Sequence, residues 1–94
     1  MSARKEFVAR MKARLDEVKE ELHRLEQKLG LEARETSRKA LDELHEKRAA
    51  AESRIEEIDE AGEEGWEHMK DEAEKTWKAF RAGVDTFRDF SDHA

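Results

Sequence analysis

The chain contains no cysteine, no proline and no tyrosine. Without cysteine there is no disulfide, no thiolate nucleophile, no iron–sulfur cluster and no cysteine zinc site. Without proline, no residue forces a helix to stop. Only four glycines interrupt the 94 residues. No apolar run approaches the roughly 18 residues that a membrane-spanning helix needs. The basic N-terminal stretch carries no continuous apolar segment, which argues against a secretory signal and makes the cytoplasm the default expectation.

What remains is charge and small apolar residues. Charged side chains make up 47% of the chain and hydrophobic ones 36%. Thirteen of the hydrophobic residues are alanine, so few large side chains are available for a core. A chain this short buries limited apolar surface alone. Ala, Glu, Lys, Leu and Arg at heptad spacing characterise coiled coils and long helices. The net charge of −6 is unevenly spread. Arg4, Lys5, Arg10, Lys12 and Arg14 face only Glu6 at the start, whereas acids crowd the stretch from Glu52 to Glu67 around Arg54 alone. Such blocks steer association or simply complement helix dipoles. The overall charge and the short, interleaved basic segment speak against nucleic acid as a partner.

Val8, Met11, Leu15, Val18, Leu22, Leu25 and Leu29 repeat at alternating three- and four-residue spacing, which predicts a helix with one narrow apolar seam. The seam weakens between Gly30 and Ala40, then resumes at Leu41, Leu44, Ala51, Ile55 and Ile58, with Arg48 at one seam position. Gly30 followed by Leu31 has the form of a Schellman ending. Glu32-Ala33-Arg34-Glu35, in contrast, favours continuation of the helix. Gly62 and Gly65 form a clearer break. Beyond it lie Trp66, Met69, Ala73, Trp77, Phe80, Val84 and Phe87, again near heptad spacing. Six acid-before-base pairs at i, i+4, from Glu6/Arg10 to Glu74/Lys78, predict helix almost throughout.

Candidate chemistry is sparse. Glu20-x-x-His23 and Asp42-x-x-His45 have spacings used in di-iron bundles, but both histidines flank the seam rather than occupy it, so no metal site is expected. His68 reads as a solvated neighbour of Glu64. Phosphate loops, dinucleotide fingerprints and nucleophile elbows are missing from the sequence, and no catalytic residue or cofactor is expected. The rings of Trp66, Trp77, Phe80 and Phe87 read first as core. Their second reading is an interfacial membrane helix, weakened by the acids around them.

Over most of its length the chain resembles a group of small bacterial stress-induced coiled-coil proteins of uncharacterised function. The resemblance rests on the segment from Val8 to Val18, on Leu41-Asp-Glu-Leu-His-Glu-Lys-Arg48, and on the Gly62/Gly65 turn with Trp66 and Trp77 eleven residues apart. It implies no catalytic or ligand residue. It implies a continuous first helix, from which Gly30 departs.

The expected fold is therefore all-α. One domain spans 1–94, as an antiparallel coiled-coil hairpin with a long helix over about 4–60, a turn at 61–64 and a shorter helix over about 64–91. A three-helix bundle broken at Gly30 is the alternative. The hairpin would leave the Val8–Leu29 stripe bare, so it predicts a homo-oligomer, most simply a dimer, or binding to another helical protein. The expected function is a non-catalytic interaction or structural protein. The alternative is an amphipathic, partly disordered protectant that coats membranes or client proteins.

Overall fold

The computed structural model describes residues 2–29 and 35–92. It contains three helices, α1 (Ala3–Leu29), α2 (Glu35–Glu60) and α3 (Glu67–Asp92). No strand occurs among the described residues.

The expected long first helix is replaced by two. Arg4 reaches Asp59, Lys19 reaches Glu52, and His45 pairs with Glu26, so residue numbers rise along α1 as they fall along α2. The two helices thus lie side by side and antiparallel, and the hairpin gives way to the three-helix bundle. Phe7 against Trp66 and Glu21 against Arg88 set α3 parallel to α1. The molecule measures 48 × 20 × 18 Å. A helix over 4–60 would alone be about 85 Å long at ~1.5 Å per residue. The physical reason for folding back is burial: a hairpin leaves half of the first helix's apolar stripe in water, whereas the bundle covers it within one chain. The expected break at Gly30 and Leu31, together with Ala33, lies outside the described residues.

Ser2 starts α1. Its hydroxyl oxygen accepts the Lys5 backbone N–H at 3.2 Å, the reach of an N-cap side chain to the third helical residue. The same hydroxyl donates to Glu63 at 2.9 Å, tying the first turn of α1 to the α2–α3 connection. At the far side of that connection Gly65 adopts φ +86°, a conformation that costs a residue with a Cβ. The chain then tightens, with His68 N–H donating to Gly65 O and Met69 N–H to Trp66 O, and Glu67 supplies an acid at the positive end of α3.

The core combines Phe7, Val8, Met11, Leu15, Val18, Leu22 and Leu25 of α1 with Leu44, Ala51, Ile55 and Ile58 of α2. From the last segment it takes Trp66, Ala73, Phe80, Val84 and Phe87, and Ala40, Leu41 and Trp77 pack at its edge. Met11, Val18, Ile58, Phe80 and Val84 are fully buried. Each such side chain contributes about 1.5–3 kcal/mol of burial.

Candidate functional site

Three seams run along the bundle, and they differ in what closes them. The α1–α2 seam is strapped by charge. Arg4 donates to the backbone oxygen of Asp59 at 2.6 Å and to the Glu63 carboxylate at 3.3 Å. Lys12 meets Asp59 at 3.3 Å and Lys19 meets Glu52 at 3.0 Å. The last turn of α2 holds no base, although it lies at the negative end of the helix dipole amid acids. Arg4 and Lys12 supply the missing positive charge from the other helix. The basic start and the acidic patch therefore meet inside one chain.

Glu52 sits between two cations in this seam. Partial burial pushes its carboxyl up, but hydrogen bonds from Lys19 and Arg48, with the charges of both, bring it below the ordinary carboxylate value.

The α1–α3 seam is closed by charge and rings. Arg88 donates to Glu21 at 2.7 Å, and that bond holds its guanidinium more firmly protonated than usual. Arg14 lies 5.4 Å from the Trp77 ring centre. Lys70 lies 5.4 Å from Phe7 and 5.5 Å from Trp66, whose rings are 5.8 Å apart. Ammonium and guanidinium groups over ring faces are attracted by the ring quadrupole. The Trp77 indole N–H is buried without a hydrogen-bond partner among the described residues.

The α2–α3 seam is different. Among the described residues no ion pair or side-chain hydrogen bond joins these two helices. An open apolar groove of about 560 Å³ runs between them. Leu44 and Phe87 form its floor, Ala40, Ala79, Ala82 and Gly83 its walls, and Glu43 and Lys47 its rim. Leu44 and Phe87 are buried beneath the groove, so the surface it offers is mainly that of the small residues, with Ala79 and Ala82 exposed. Lining of this kind, apolar with a few polar groups at the edge, suits another apolar surface better than a charged small molecule.

The structure sorts the expected seam residues as follows. Val8, Met11, Leu15, Val18, Leu22, Leu25, Leu44, Ile55, Ile58, Trp66, Phe80, Val84 and Phe87 are buried, and Leu41 and Trp77 are partly so. Leu29 ends α1, and its side chain lies outside the described residues. Met69 is 38% exposed. Trp66 and Phe7 fill the core at that end, which leaves Met69 on the rim. The seam is thus largely internal, whereas the open groove is lined mainly by residues that a search for large hydrophobics passes over.

The histidines do not converge. His23 is exposed, and His45 is taken up by Glu26. Among the described residues, no three His, Asp or Glu side chains come together to hold a metal. Nor is any helix long and apolar enough to cross a membrane.

No family model matches the chain, and neither does any curated protein or solved structure.

Proposed function

We propose that this chain is a non-catalytic helix-binding module whose docking surface is the α2–α3 groove. One observation carries the reading. Two seams of the bundle are strapped by charged side chains, while the third, packed through apolar side chains, carries an apolar groove on its outer side. An amphipathic helix laid along that groove would place its apolar face against Ala40, Ala79 and Ala82, with Leu44 and Phe87 beneath them, the mode by which helices dock into grooves. Apolar area is the source of binding energy here, at about 25 cal/mol per Å² removed from water.

The protectant reading requires a chain with little structure until it meets a surface. The core argues against it, because large side chains from all three helices are already buried within one chain. The resemblance to stress-induced bacterial proteins adds a setting, and the reading does not rest on it.

Circular dichroism in plain buffer tests the choice. The module predicts strong helicity, one cooperative melt and no gain with lipid vesicles. Weak helicity that rises sharply on adding vesicles would overturn it in favour of the protectant.

A further inference from the structure

The open face has a pattern that suggests its occupant. On α2 the groove-lining Ala40, Glu43 and Lys47 continue, at three-, four- and three-residue spacing, to the exposed Ala50. Read against itself in the opposite direction, this stripe is self-complementary. Around a centre near residue 45, Ala40 faces Ala50 and Glu43 faces Lys47. On α3 the groove-lining Ala79, Ala82 and Thr86 continue at the same alternating spacing to the exposed Lys75 and Asp89. Its antiparallel centre lies at Ala82 to within half a residue, where Ala79 faces Thr86 and Lys75 faces Asp89. Opposite charges thus meet at both helices in the same arrangement.

The two centres also lie at one height in the bundle. Leu44 and Lys47 are the side chains nearest to Gly83. Residues 44–47 of α2 are therefore level with residue 83 of α3. The centres near 45 and at 82 then fall within about two residues of a common level, or ~3 Å at ~1.5 Å per residue. One two-fold axis, running across the groove from α2 to α3, serves both helices at once. Nothing in the folding of a single chain requires this coincidence.

The rim charges are free to take such partners. Glu43, Lys47 and Lys75 form no ion pair among the described residues, although Glu43/Lys47 and Asp71/Lys75 are both spaced for one along the helix. Glu43, Lys47, Lys75 and Asp89 are all exposed.

Resting on the reading of the groove as a helix-docking surface, we propose that its partner is a second copy of this chain. The two copies pack α2 on α2 and α3 on α3, antiparallel, in a closed two-fold dimer. Such an interface is isologous, so each charge pair forms twice. Alanine at the crossing lets the helix axes approach toward the lower end of the ~8–10 Å range, which brings the two alanine-lined grooves face to face. The dimer therefore uses the face opposite α1, not the Val8–Leu25 stripe, which is already covered.

The test is solution mass by light scattering over a concentration series, with circular dichroism on every sample. Wild type should rise from 11.0 kDa toward twice that value. Glu43→Lys and Lys47→Glu should each stay at 11.0 kDa, because each sets like charges against each other at two symmetric places. Mixed in equal amounts, these two variants should recover the doubled mass, since each then supplies the charge that the other lacks. Ala82→Arg, which brings two guanidinium groups together at the axis, should abolish the dimer without loss of helicity. A helical wild type that remains monomeric at every concentration overturns the dimer and leaves the groove to a foreign helix. Single variants that dimerise like wild type, or a mixture that fails to recover the mass, also overturn it. A chain without stable helicity overturns both the dimer and the module.

Discussion

Leu44 packs so closely on Gly83 that a Cβ added to the glycine would meet Leu44 Cδ2 at 2.6 Å. This contact sets how near α2 and α3 come at the floor of the groove. Glycine in a helix interior costs about 1 kcal/mol relative to alanine, so its presence here reflects the space that Leu44 occupies. Gly83→Ala should therefore be close to neutral in the wild-type chain, where the propensity gain is offset by displacing Leu44. In a Leu44→Ala background, which by itself should cost about 2–5 kcal/mol, the same change should stabilise by about 0.5–1 kcal/mol. Urea unfolding of the four proteins measures the coupling. Equal effects in both backgrounds would mean that the two residues do not touch.

Arg4 fastens the start of α1 to the end of α2. Its side chain is only 12% exposed, and it donates to the α2 carbonyl of Asp59 and to Glu63. Arg4→Ala should lower stability by about 1–3 kcal/mol through the loss of charge-assisted bonds to an acidic helix end. Arg4→Lys should recover part of that, since a single ammonium does not reproduce the fork of a guanidinium. Amide hydrogen exchange should rise first in the last turn of α2. A uniform rise across the bundle would contradict a local clamp.

Phe7 and Trp66 close one end of the core. Removing the ring with Phe7→Ala should cost about 3–5 kcal/mol and shift Trp66 emission to longer wavelength as water enters. The emission is best read in a Trp77→Phe chain. That background should be well tolerated, because the Trp77 indole N–H has no partner to lose among the described residues. Met69→Ala, at a 38% exposed position, should change stability by about 0.5 kcal/mol or less. A Met69 effect as large as that of Phe7 would put the end of the core in the wrong place.

Glu52 adds an acid-sensitive contribution to the stability of the bundle. Its carboxyl is held below its ordinary value in the folded chain, so the folded state favours the charged form. The sign follows from linkage: this stabilisation is fully present above the unfolded carboxylate value and is lost as pH falls through the lower folded one. Glu52→Gln should flatten the fall in stability in that acid window and leave Lys19 and Arg48 without their shared partner at neutral pH. Melting curves taken from neutral to acid pH show this directly. An unchanged acid slope would mean that Glu52 contributes nothing to it.

The helical character and most of the core were legible in the sequence. The stripe from Val8 to Leu25 and the breaks at Gly62 and Gly65 needed only spacing and turn chemistry. The fold-back between α1 and α2 was not legible in the same way. A heptad stripe looks alike whether its partner is in the same chain or another. Phe7 was passed over because it lies beside the narrow two-stranded seam. In a three-helix bundle each helix faces two neighbours, and the buried stripe widens to include it. Ser2 is an N-cap residue type directly before α1, a signal that the spacing of apolar residues does not bring out. The groove escaped because its walls are alanine and glycine, and its character comes from what α2 and α3 leave uncovered together.

The most direct test of the bundle is the distance between labels placed at Lys19 and Glu52, which is simple to arrange in a chain without cysteine. Lys19→Cys and Glu52→Cys, spin-labelled and diluted with unlabelled chain, report one molecule at a time. The bundle predicts a short distance, because the native side chains meet at 3.0 Å. A distance of about 50 Å, the span of the 33 intervening steps in one continuous helix at ~1.5 Å each, would contradict it.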